Sequence, residues 1–368
     1  MRKIAALCLI ALWAASGLCA EGLRELPHES GIRCCLLTDA TGIDDKAFNA
    51  AAWRGILAFY GDTWNHTKYR GVSYDVITAR TQDRYIPYLR QATDKGYDLI
   101  VTVGFTAAGA LEEVARDNPR QKYLIIDVDS LGLDAPNIMQ AAYTEHEGSF
   151  LVGAATALKA RADGIENPRF GFIGGMPGDI ISKYETGYAQ GVISVIPDAE
   201  MVVYYVNSWA DPVRAKTQAK NWYDSGVYAI YSAAGGSGMG VIAQAREYRA
   251  AGRNVWAIGV DSDQYEEGRY NDRESAVLTA MLKRIDTSLV YALNAVGNGT
   301  FSGGVTLFDI KAGGVDYAAV NPALDGDIVN QLEAIKKDMV DGTIKVAATG
   351  AEAGQIPGFP RNLRAMDD

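Results

Sequence analysis

The residues of this sequence best suited to chemistry follow short apolar runs. They combine acids, an amide, a lysine and two aromatic rings: Asp39, Phe48, Asn49, Asp127, Tyr231, Asp261 and Lys283. In open parallel sheets, ligands bind outside the carboxyl ends of the strands, so residues after different strands meet at one edge. Rings that stack and charged groups that hydrogen-bond suit a flat, polar small molecule. We therefore expect Phe48, which lies among charges in "TDATGIDDKAFN", to face a cleft and not the core.

Taken singly, these residues have simpler interpretations. Asp44 or Asp45 is suited to cap a helix that begins near residue 47. A phenylalanine at a helix start is commonly part of a core or of a hydrophobic staple. The glycines of "AAGGSG" suit a turn ahead of a helix, and they lack the spacing of a phosphate-binding loop. Only the joint placement of these residues favours a site.

The usual sequence signatures of enzymes are absent. The chain has no G-x-S-x-G, no H-E-x-x-H, no C-x-x-C and no G-x-G-x-x-G after a strand. With 3 histidines in the whole chain, a histidine-rich metal site is not expected. We therefore predict no catalytic activity, no cofactor and no metal.

Short apolar runs alternate with helical patterns along the chain. The predicted strands are 33–38, 72–77, 99–103, 123–127, 170–174, 201–205, 227–231, 255–260 and 275–282. The predicted helices are 47–60, 82–95, 106–118, 148–162, 183–196, 212–225, 239–251 and 284–297. Repeated strand-then-helix units predict an α/β fold of doubly wound parallel sheets with helices on both faces. At 368 residues, two sheets of about five strands fit better than one of nine.

The N-terminus resembles an export signal. "MRKIAALCLIALWAASGLCA" places two positive charges before an apolar stretch and then small residues, which predicts a signal peptide over 1–20. "SGLC" resembles a bacterial lipoprotein box, so we expect Cys19 to be lipidated, although the leucine before it is atypical. Simple cleavage after Ala20 is the alternative. The mature protein is then periplasmic or lipid-anchored to the membrane.

The overall charge argues against nucleic acid as a partner. The formal net charge is −10, and no basic face is visible in the sequence. Cys34 and Cys35 are neighbours within a predicted strand, where a bridge between them would be strained. We expect both to be buried free thiols.

From about residue 32 to 345 the chain resembles the bacterial basic membrane protein family, the substrate-binding lipoproteins of ABC importers. Its motifs occur in the family's order: "TDATGIDDKAFN", "VGF", "NPRQKYLIID", "EHEGSFLVGAAT", "GFIGGMPGD", "AAGGSGMGVI", "IGVDSDQ" and "LTAMLKRID". The family name implies basic proteins, whereas this chain is acidic. The resemblance implies a type I periplasmic binding fold, with two lobes joined by a three-stranded hinge. It implies a first lobe of 30–145 plus 276–305, a second of 146–275 plus 306–350, and a C-terminal tail at 351–368.

The resemblance extends to purine nucleoside receptors within the family, and it implies roles for individual residues. Phe48 and Tyr231 would sandwich the base, and Asp127 would read its edge. Asp39, Asn49, Asp261 and Lys283 would face the ribose. Gly235 and Gly236 would let the backbone approach the ligand.

The implied function is capture of purine nucleosides, namely guanosine, inosine and adenosine, for import through the permease and ATPase subunits of an ABC transporter. The same aromatic clamp would also suit another flat heterocycle such as riboflavin. A nucleoside-sensing receptor component is a further alternative, although no helix-turn-helix precedes the fold and no membrane span follows it in the sequence. A nucleoside hydrolase is the enzymatic alternative.

Overall fold

A computed structural model describes residues 31–128, 131 and 135–364. Within them two six-stranded sheets form the centres of two lobes. The first sheet, in spatial order, consists of Gly304–Phe308 (β11), Ile138–Tyr143 (β5), Lys122–Ile126 (β4), Leu99–Val103 (β3), Cys34–Thr38 (β1) and Tyr74–Thr78 (β2). All its neighbouring strands are parallel.

The second sheet repeats this order with one change. It consists of Val315–Tyr317 (β12), Val277–Lys283 (β10), Trp256–Asp261 (β9), Val227–Ala233 (β8), Arg169–Gly174 (β6) and Glu200–Tyr205 (β7). The short edge strand β12 runs antiparallel to β10, and the other pairs are parallel. By this order β4 corresponds to β9, and β5 corresponds to β10.

Helices cover both faces of each sheet, which confirms the doubly wound α/β prediction. The first lobe carries Phe48–Tyr60 (α1), Tyr85–Asp94 (α2), Ala108–Asp117 (α3) and Ile285–Gly297 (α8). The second carries Glu145–Ala162 (α4), Asp179–Val195 (α5), Pro212–Asp224 (α6), Gly238–Ala250 (α7), Gly326–Val340 (α9) and Gly350–Ala353 (α10). Asp211 caps α6, since its side chain accepts a hydrogen bond from the backbone N–H of Arg214 at 2.9 Å and Pro212 follows as the first helical residue.

Alternate residues of the central strands face opposite sides of the sheet. On β1, Cys34 and Leu36 pack into the core that continues between the lobes, whereas Cys35 and Leu37 pack under α2 and α3. Because neighbouring side chains of a strand point to opposite faces, the two thiols lie in different cores. Both are free and buried, as predicted, and burial raises the pKa of Cys35 to about 12.

The chain crosses between the lobes after β5, after β10 and after β11. The expected second boundary at 276 is wrong, because β10 pairs with β9 and so belongs to the second sheet through Lys283. The expected boundary at 305 also shifts, since β11 pairs with β5 as far as Phe308.

The segment expected to be a C-terminal tail packs against the second lobe as far as residue 364. Ala353, Phe359 and Leu363 are buried in its core. The side-chain amide of Asn362 donates to the carbonyl of Met201 at 2.8 Å. The described part of 351–368 is therefore a structural element of this lobe.

Candidate functional site

The carboxyl ends of the strands in both sheets meet at a cleft between the lobes. The space between its walls, including the part open to solvent, is about 640 Å³. Of the predicted site residues, those that line it are Asp39, Phe48, Asn49, Asp127, Gly235, Gly236 and Asp261. The lining also includes residues that sequence reasoning did not select, among them Thr41, Asp45, Phe105, Ile180, Tyr184 and Trp209.

A hydrogen-bonded polar group forms the first-lobe wall after β1. Oδ1 of Asp39 accepts from the backbone N–H of Thr41 at 2.9 Å and from the side-chain amide of Asn49 at 2.9 Å. The same amide donates to the hydroxyl of Thr41 at 2.8 Å. The amide oxygen of Asn49 is buried and accepts no hydrogen bond within the described structure. It is therefore an acceptor available to a ligand that donates.

Asp45 fixes the loop that presents Phe48. Its carboxylate accepts from the backbone N–H groups of Ala47, Asn49 and Ala50 at 2.8–3.1 Å. Burial raises its pKa, and these three hydrogen bonds oppose that effect. Of the two capping candidates, Asp45 holds the start of α1, and the helix begins at Phe48. The ring of Phe48 then lies beside Gly104, where an added Cβ would be 3.6 Å from its Cε1.

Asp127 and Asp261 occupy corresponding positions in the two lobes. Asp127 follows β4 with a φ of 65°, and Asp261 ends β9 with a φ of 63°. Left-handed backbone is uncommon for residues other than glycine. In both lobes it occurs at the end of a strand, at an aspartate that lines the cleft. Burial raises the pKa of Asp127 to about 6 and that of Asp261 to about 7. The hydroxyl of Tyr184 donates to Oδ1 of Asp261 at 3.2 Å.

Lys283 is buried and is not among the residues that line the cleft. Its side chain is 0% exposed, and its ammonium group pairs with Asp127 and with Glu145, the latter at 3.0 Å. Burial opposes the charge on this lysine, but Asp127, Glu145 and Asp261 together raise its pKa. Lys283 and Tyr231 are thus the two predicted site residues that are not in the cleft lining.

Tyr231 does not reach the cleft, which corrects the prediction that it forms one face of an aromatic sandwich. It is fully buried in the second-lobe core, where its ring contacts Phe172 and Tyr188 at centroid distances of 5.6 and 5.1 Å. Its hydroxyl lies 3.2 Å from that of Ser149. The physical reason is that β8 continues to Ala233, so Tyr231 is a residue within the strand and not at its end.

Trp209 lies at the cleft in the loop between β7 and α6, and with Tyr184 of α5 it is one of two second-lobe aromatic residues in the lining. Its ring lies directly against Gly175, where an added Cβ would be only 2.1 Å from Cζ3, so a side chain there would displace the ring. Gly235 has a φ of 53°, and an added Cβ there would lie 3.6 Å from Cε3 of Trp209. The sequence signal that could have identified Trp209 is its position just before the "DP" that starts α6.

Direct contacts join the two lobes around the cleft. The rings of Phe105 and Trp209 meet edge-to-face, with centroids 6.3 Å apart. The hydroxyl of Ser262 donates to the carbonyl of Ala47 at 3.2 Å. The side-chain amide of Gln264 donates to the carbonyl of Lys46 at 3.1 Å, and Arg54 donates to the Ser262 hydroxyl. The lobes are thus closed over the cavity.

Among the described residues, no group of three histidine, cysteine, aspartate or glutamate side chains is arranged to hold a metal ion. None of their helices combines the length and apolar character needed to cross a bilayer. The predicted signal peptide over 1–20 and the lipidation candidate Cys19 lie outside the described residues.

Comparison with known proteins agrees with this architecture. Residues 33–350 match the Bmp family, described as ABC transporter substrate-binding protein PnrA-like. The chain belongs to this family. This match confirms the resemblance seen in the sequence. The protein is the substrate-binding component of an ABC transporter.

Individual relatives cover nearly the whole chain. The ABC transporter nucleoside-binding protein BmpA of Lactococcus lactis subsp. cremoris is 30% identical over 358 residues, covering 94% of this chain and 99% of the relative. The CD4+ T-cell-stimulating antigen of Listeria monocytogenes is 32% identical over 318 residues, covering 84% and 87%. Among solved structures, an ABC transporter solute-binding protein of Aeropyrum pernix K1 aligns with a TM-score of 0.72 and 26% identity, covering 85% of this chain and 92% of that one.

Proposed function

We propose that this protein captures purine nucleosides outside the cytoplasm and delivers them to the permease and ATPase subunits of an ABC importer. The observation that carries the proposal is the cleft itself, which combines an aromatic ring from each lobe with buried acids from each lobe. The Lactococcus relative is named a nucleoside-binding protein, which supports the same ligand class.

The base would lie between Phe48 of the first lobe and Trp209 of the second. A purine is flat and polarizable, so rings on its two faces bury it without selecting one base. Aromatic pairing of this kind contributes about 0.5–1.5 kcal/mol beyond area burial. Trp209 takes the role that the sequence assigned to Tyr231. Of the two second-lobe rings that line the cavity, Trp209 is half-buried, whereas Tyr184 is buried and donates its hydroxyl to Asp261.

The acids would recognise the edge of the base and the sugar. Asp127 as a carboxylate accepts from ring N–H groups, which favours guanine and hypoxanthine and also accommodates the amino group of adenine. Asp39 and Asp261 would accept from ribose hydroxyls, and the buried amide oxygen of Asn49 offers a further acceptor. A ligand that lacks a matched hydroxyl would leave buried polar groups unpaired, so deoxynucleosides should bind more weakly.

Nucleotides should be excluded from this site. Asp39, Asp45, Asp127 and Asp261 all line the cavity, and a phosphate among them would meet like charge in a partly desolvated space. Gly235 and Gly236 would let the second-lobe backbone approach the ligand as the lobes close. Closure would then present to the transporter a surface that the open form lacks.

Delivery requires the protein to lie outside the cytoplasm. We propose that residues 1–20 direct export and that Cys19 carries a lipid anchor to the membrane. Mass spectrometry of the mature N-terminus tests this directly. A lipidated Cys19 is expected, and a mature chain that starts at Glu21 would instead show simple cleavage.

Isothermal titration calorimetry of the purified protein tests the ligand class. We expect saturable one-site binding of guanosine, inosine and adenosine, weaker binding of their 2′-deoxy forms and free bases, and none of the monophosphates. Preferential binding of riboflavin would support the aromatic clamp but would replace purine nucleosides as the ligand. Absence of binding to every nucleoside would refute the proposal. Chromatography of inosine after long incubation adds an enzymatic control, since release of hypoxanthine would indicate a hydrolase.

A further inference from the structure

We propose that Gly175 is a positioning residue for ligand binding, because the absence of a side chain there lets the indole of Trp209 lie in the orientation that stacks on the ligand. This inference rests on the nucleoside-binding function proposed above. It names a residue that acts on the ligand through Trp209 and is not itself in the cleft lining. Gly175 follows β6 in "GFIGGMPGD", a motif that supplied no predicted site residue.

The first support is the space that Gly175 leaves for the indole. A Cβ added to Gly175 would overlap Cζ3 and Cε3 of Trp209 and would lie 3.0 Å from its Cη2. A Cβ added to Gly235 would lie 3.6 Å from the same Cε3, which is an ordinary van der Waals distance. The benzo edge of the indole therefore fits between two glycines, and a methyl group on residue 175 is enough to displace it.

The second support is the anchoring of the backbone on both sides of this contact. The backbone N–H of Ser237 donates to the carbonyl of Trp209 at 2.9 Å. The Ser237 hydroxyl accepts from the backbone N–H of Asp211 at 2.8 Å. The backbone N–H of Gly175 donates to the carbonyl of Ala233, at the end of β8, at 2.9 Å. Because both backbones are held, the side chain of Trp209 has to yield to a methyl group on residue 175.

The consequence for the cleft is geometric. In its present orientation the ring of Trp209 lines the cleft and meets the ring of Phe105 edge-to-face across the lobes. Carbon atoms in contact are about 3.5–4.0 Å apart, so clearing a methyl group moves the ring by more than about 1 Å. A displaced ring would lose its contact with Phe105 and the face that it offers to a base. Since stacking depends on ring geometry, affinity should fall although residue 175 adds no atom to the present lining.

A second glycine of the same lobe provides a matched control. Gly171 lies on β6, and a Cβ added to it would be 2.9 Å from Cε3 of Trp222 on α6, a ring outside the cleft lining. Neither Gly171 nor Gly175 has a positive φ, so alanine suits both backbones and the two substitutions test space alone.

Calorimetry with inosine compares the wild type with Gly175→Ala and Gly171→Ala, each checked for folding by circular dichroism. We expect at least about tenfold weaker binding in Gly175→Ala and a change below about twofold in Gly171→Ala. Wild-type affinity in folded Gly175→Ala, or equal losses in both variants, would overturn the proposal.

A double variant shows whether residue 175 acts through the indole. Trp209→Phe keeps a ring but removes the benzo edge that lies on Gly175. In this background Gly175→Ala should cause little further loss of affinity, because the atoms that collide with the methyl group are gone. Losses that multiply would contradict the proposal, since residue 175 would then act independently of Trp209. If Gly175→Ala alone does not fold, recovery of the fold in the double variant supports the collision with the indole, and failure to recover contradicts it.

A readout without ligand keeps the two proposals distinguishable. Fluorine-19 NMR of protein labelled with 5-fluorotryptophan reports the environment of each indole, and the Trp209 signal is assigned by its loss in Trp209→Phe. We expect Gly175→Ala to move the Trp209 signal and Gly171→Ala to leave it in place. An unmoved Trp209 signal in Gly175→Ala would contradict the inference even if nucleosides bind, whereas a wild type that binds no nucleoside would refute the proposed function alone.

Discussion

The two lobes end corresponding strands with the same residue type but surround it differently. Asp127 after β4 and Asp261 on β9 share left-handed backbone and deep burial. Asp127 is paired with the ammonium group of Lys283, whereas Asp261 receives a hydrogen bond from the neutral hydroxyl of Tyr184. The fold therefore supplies the position of each carboxylate, and its neighbours determine its charge state.

The walls of the cleft differ in the same way. The first lobe contributes a hydrogen-bonded polar group of Asp39, Thr41 and Asn49, which is held before any ligand arrives. The second lobe contributes Ile180, Ile181, Tyr184, Trp209, the glycine backbone at 235–236 and one acid, Asp261. We infer that the first lobe supplies most of the polar recognition and that the second mainly covers the ligand on closure.

The largest expected effect separates the two acids by the size of their effect on stability. Asp261→Asn should raise the free energy of unfolding by about 2 kcal/mol at pH 8, because it removes a buried carboxylate whose pKa is raised to about 7 and which receives a hydrogen bond from the neutral hydroxyl of Tyr184. Asp127→Asn should raise it less, because relief of the buried charge is opposed by the loss of a charged partner of Lys283. Urea denaturation of the ligand-free proteins measures both. A larger gain in Asp127→Asn than in Asp261→Asn would contradict the distinction drawn between the two sites.

The pH dependence sharpens this prediction. Since the folded pKa of Asp261 is raised to about 7, the folded state keeps a proton between about pH 4 and pH 7 that the unfolded state has released. The free energy of unfolding should therefore fall as pH rises through this window, and that of Asp261→Asn should fall less. The matched control is Asp263→Asn, two residues further along the chain and not in the cleft lining. Its free energy of unfolding should change with pH as that of the wild type does.

A second effect concerns the ring supplied by each lobe. Phe48→Ala and Trp209→Ala should each weaken inosine binding by at least about tenfold, or 1.4 kcal/mol, since each removes one face of the stack. Tyr231→Phe, which changes a buried second-lobe ring outside the cleft, should bind like the wild type. Calorimetry measures all three. A large loss in Tyr231→Phe with none in Trp209→Ala would restore the sequence-based assignment.

The smallest expected effect concerns the contacts that join the lobes. Ser262→Ala removes two hydrogen bonds between the lobes, one donated to the carbonyl of Ala47 and one received from Arg54, without changing the cavity lining. The closed state should lose about 1 kcal/mol, so the dissociation rate of inosine should rise roughly fivefold with little change in the association rate. Stopped-flow fluorescence measures both rates, with Ser302→Ala on the surface as control. An unchanged dissociation rate would show that these contacts do not stabilise closure.

Much of the fold could be predicted because the central strands are continuous apolar runs. β3, for example, is "LIVTV", and its bounds agree with the predicted strand. The strand β5, "IMQAAY", was missed because the polar Gln140 and two alanines interrupt the apolar pattern, although the whole strand is buried. The edge strand β11, "GVTLF", was missed because it is not a continuous apolar run. It is a half-exposed strand, in which Val305 and Leu307 face solvent.

The site was partly predictable for a related reason. Asp39, Asp127 and Asp261 could be located because each directly follows or ends an apolar run. Tyr231 was misplaced because the strand was predicted to end at residue 231, whereas β8 extends two residues further, to Ala233. Its side chain therefore lies within the sheet and not at its end. Trp209 lies in a loop after β7, and no periodic pattern marks which loop residues turn toward a cleft. The burial of Lys283 depends on two carboxylates that the fold brings from distant positions in the chain.

A crystal structure of the protein with bound inosine is the most direct test of the central claim. The account predicts the hypoxanthine ring between Phe48 and Trp209, with its ring N–H directed at Asp127. Inosine bound outside the gap between the two rings would contradict it.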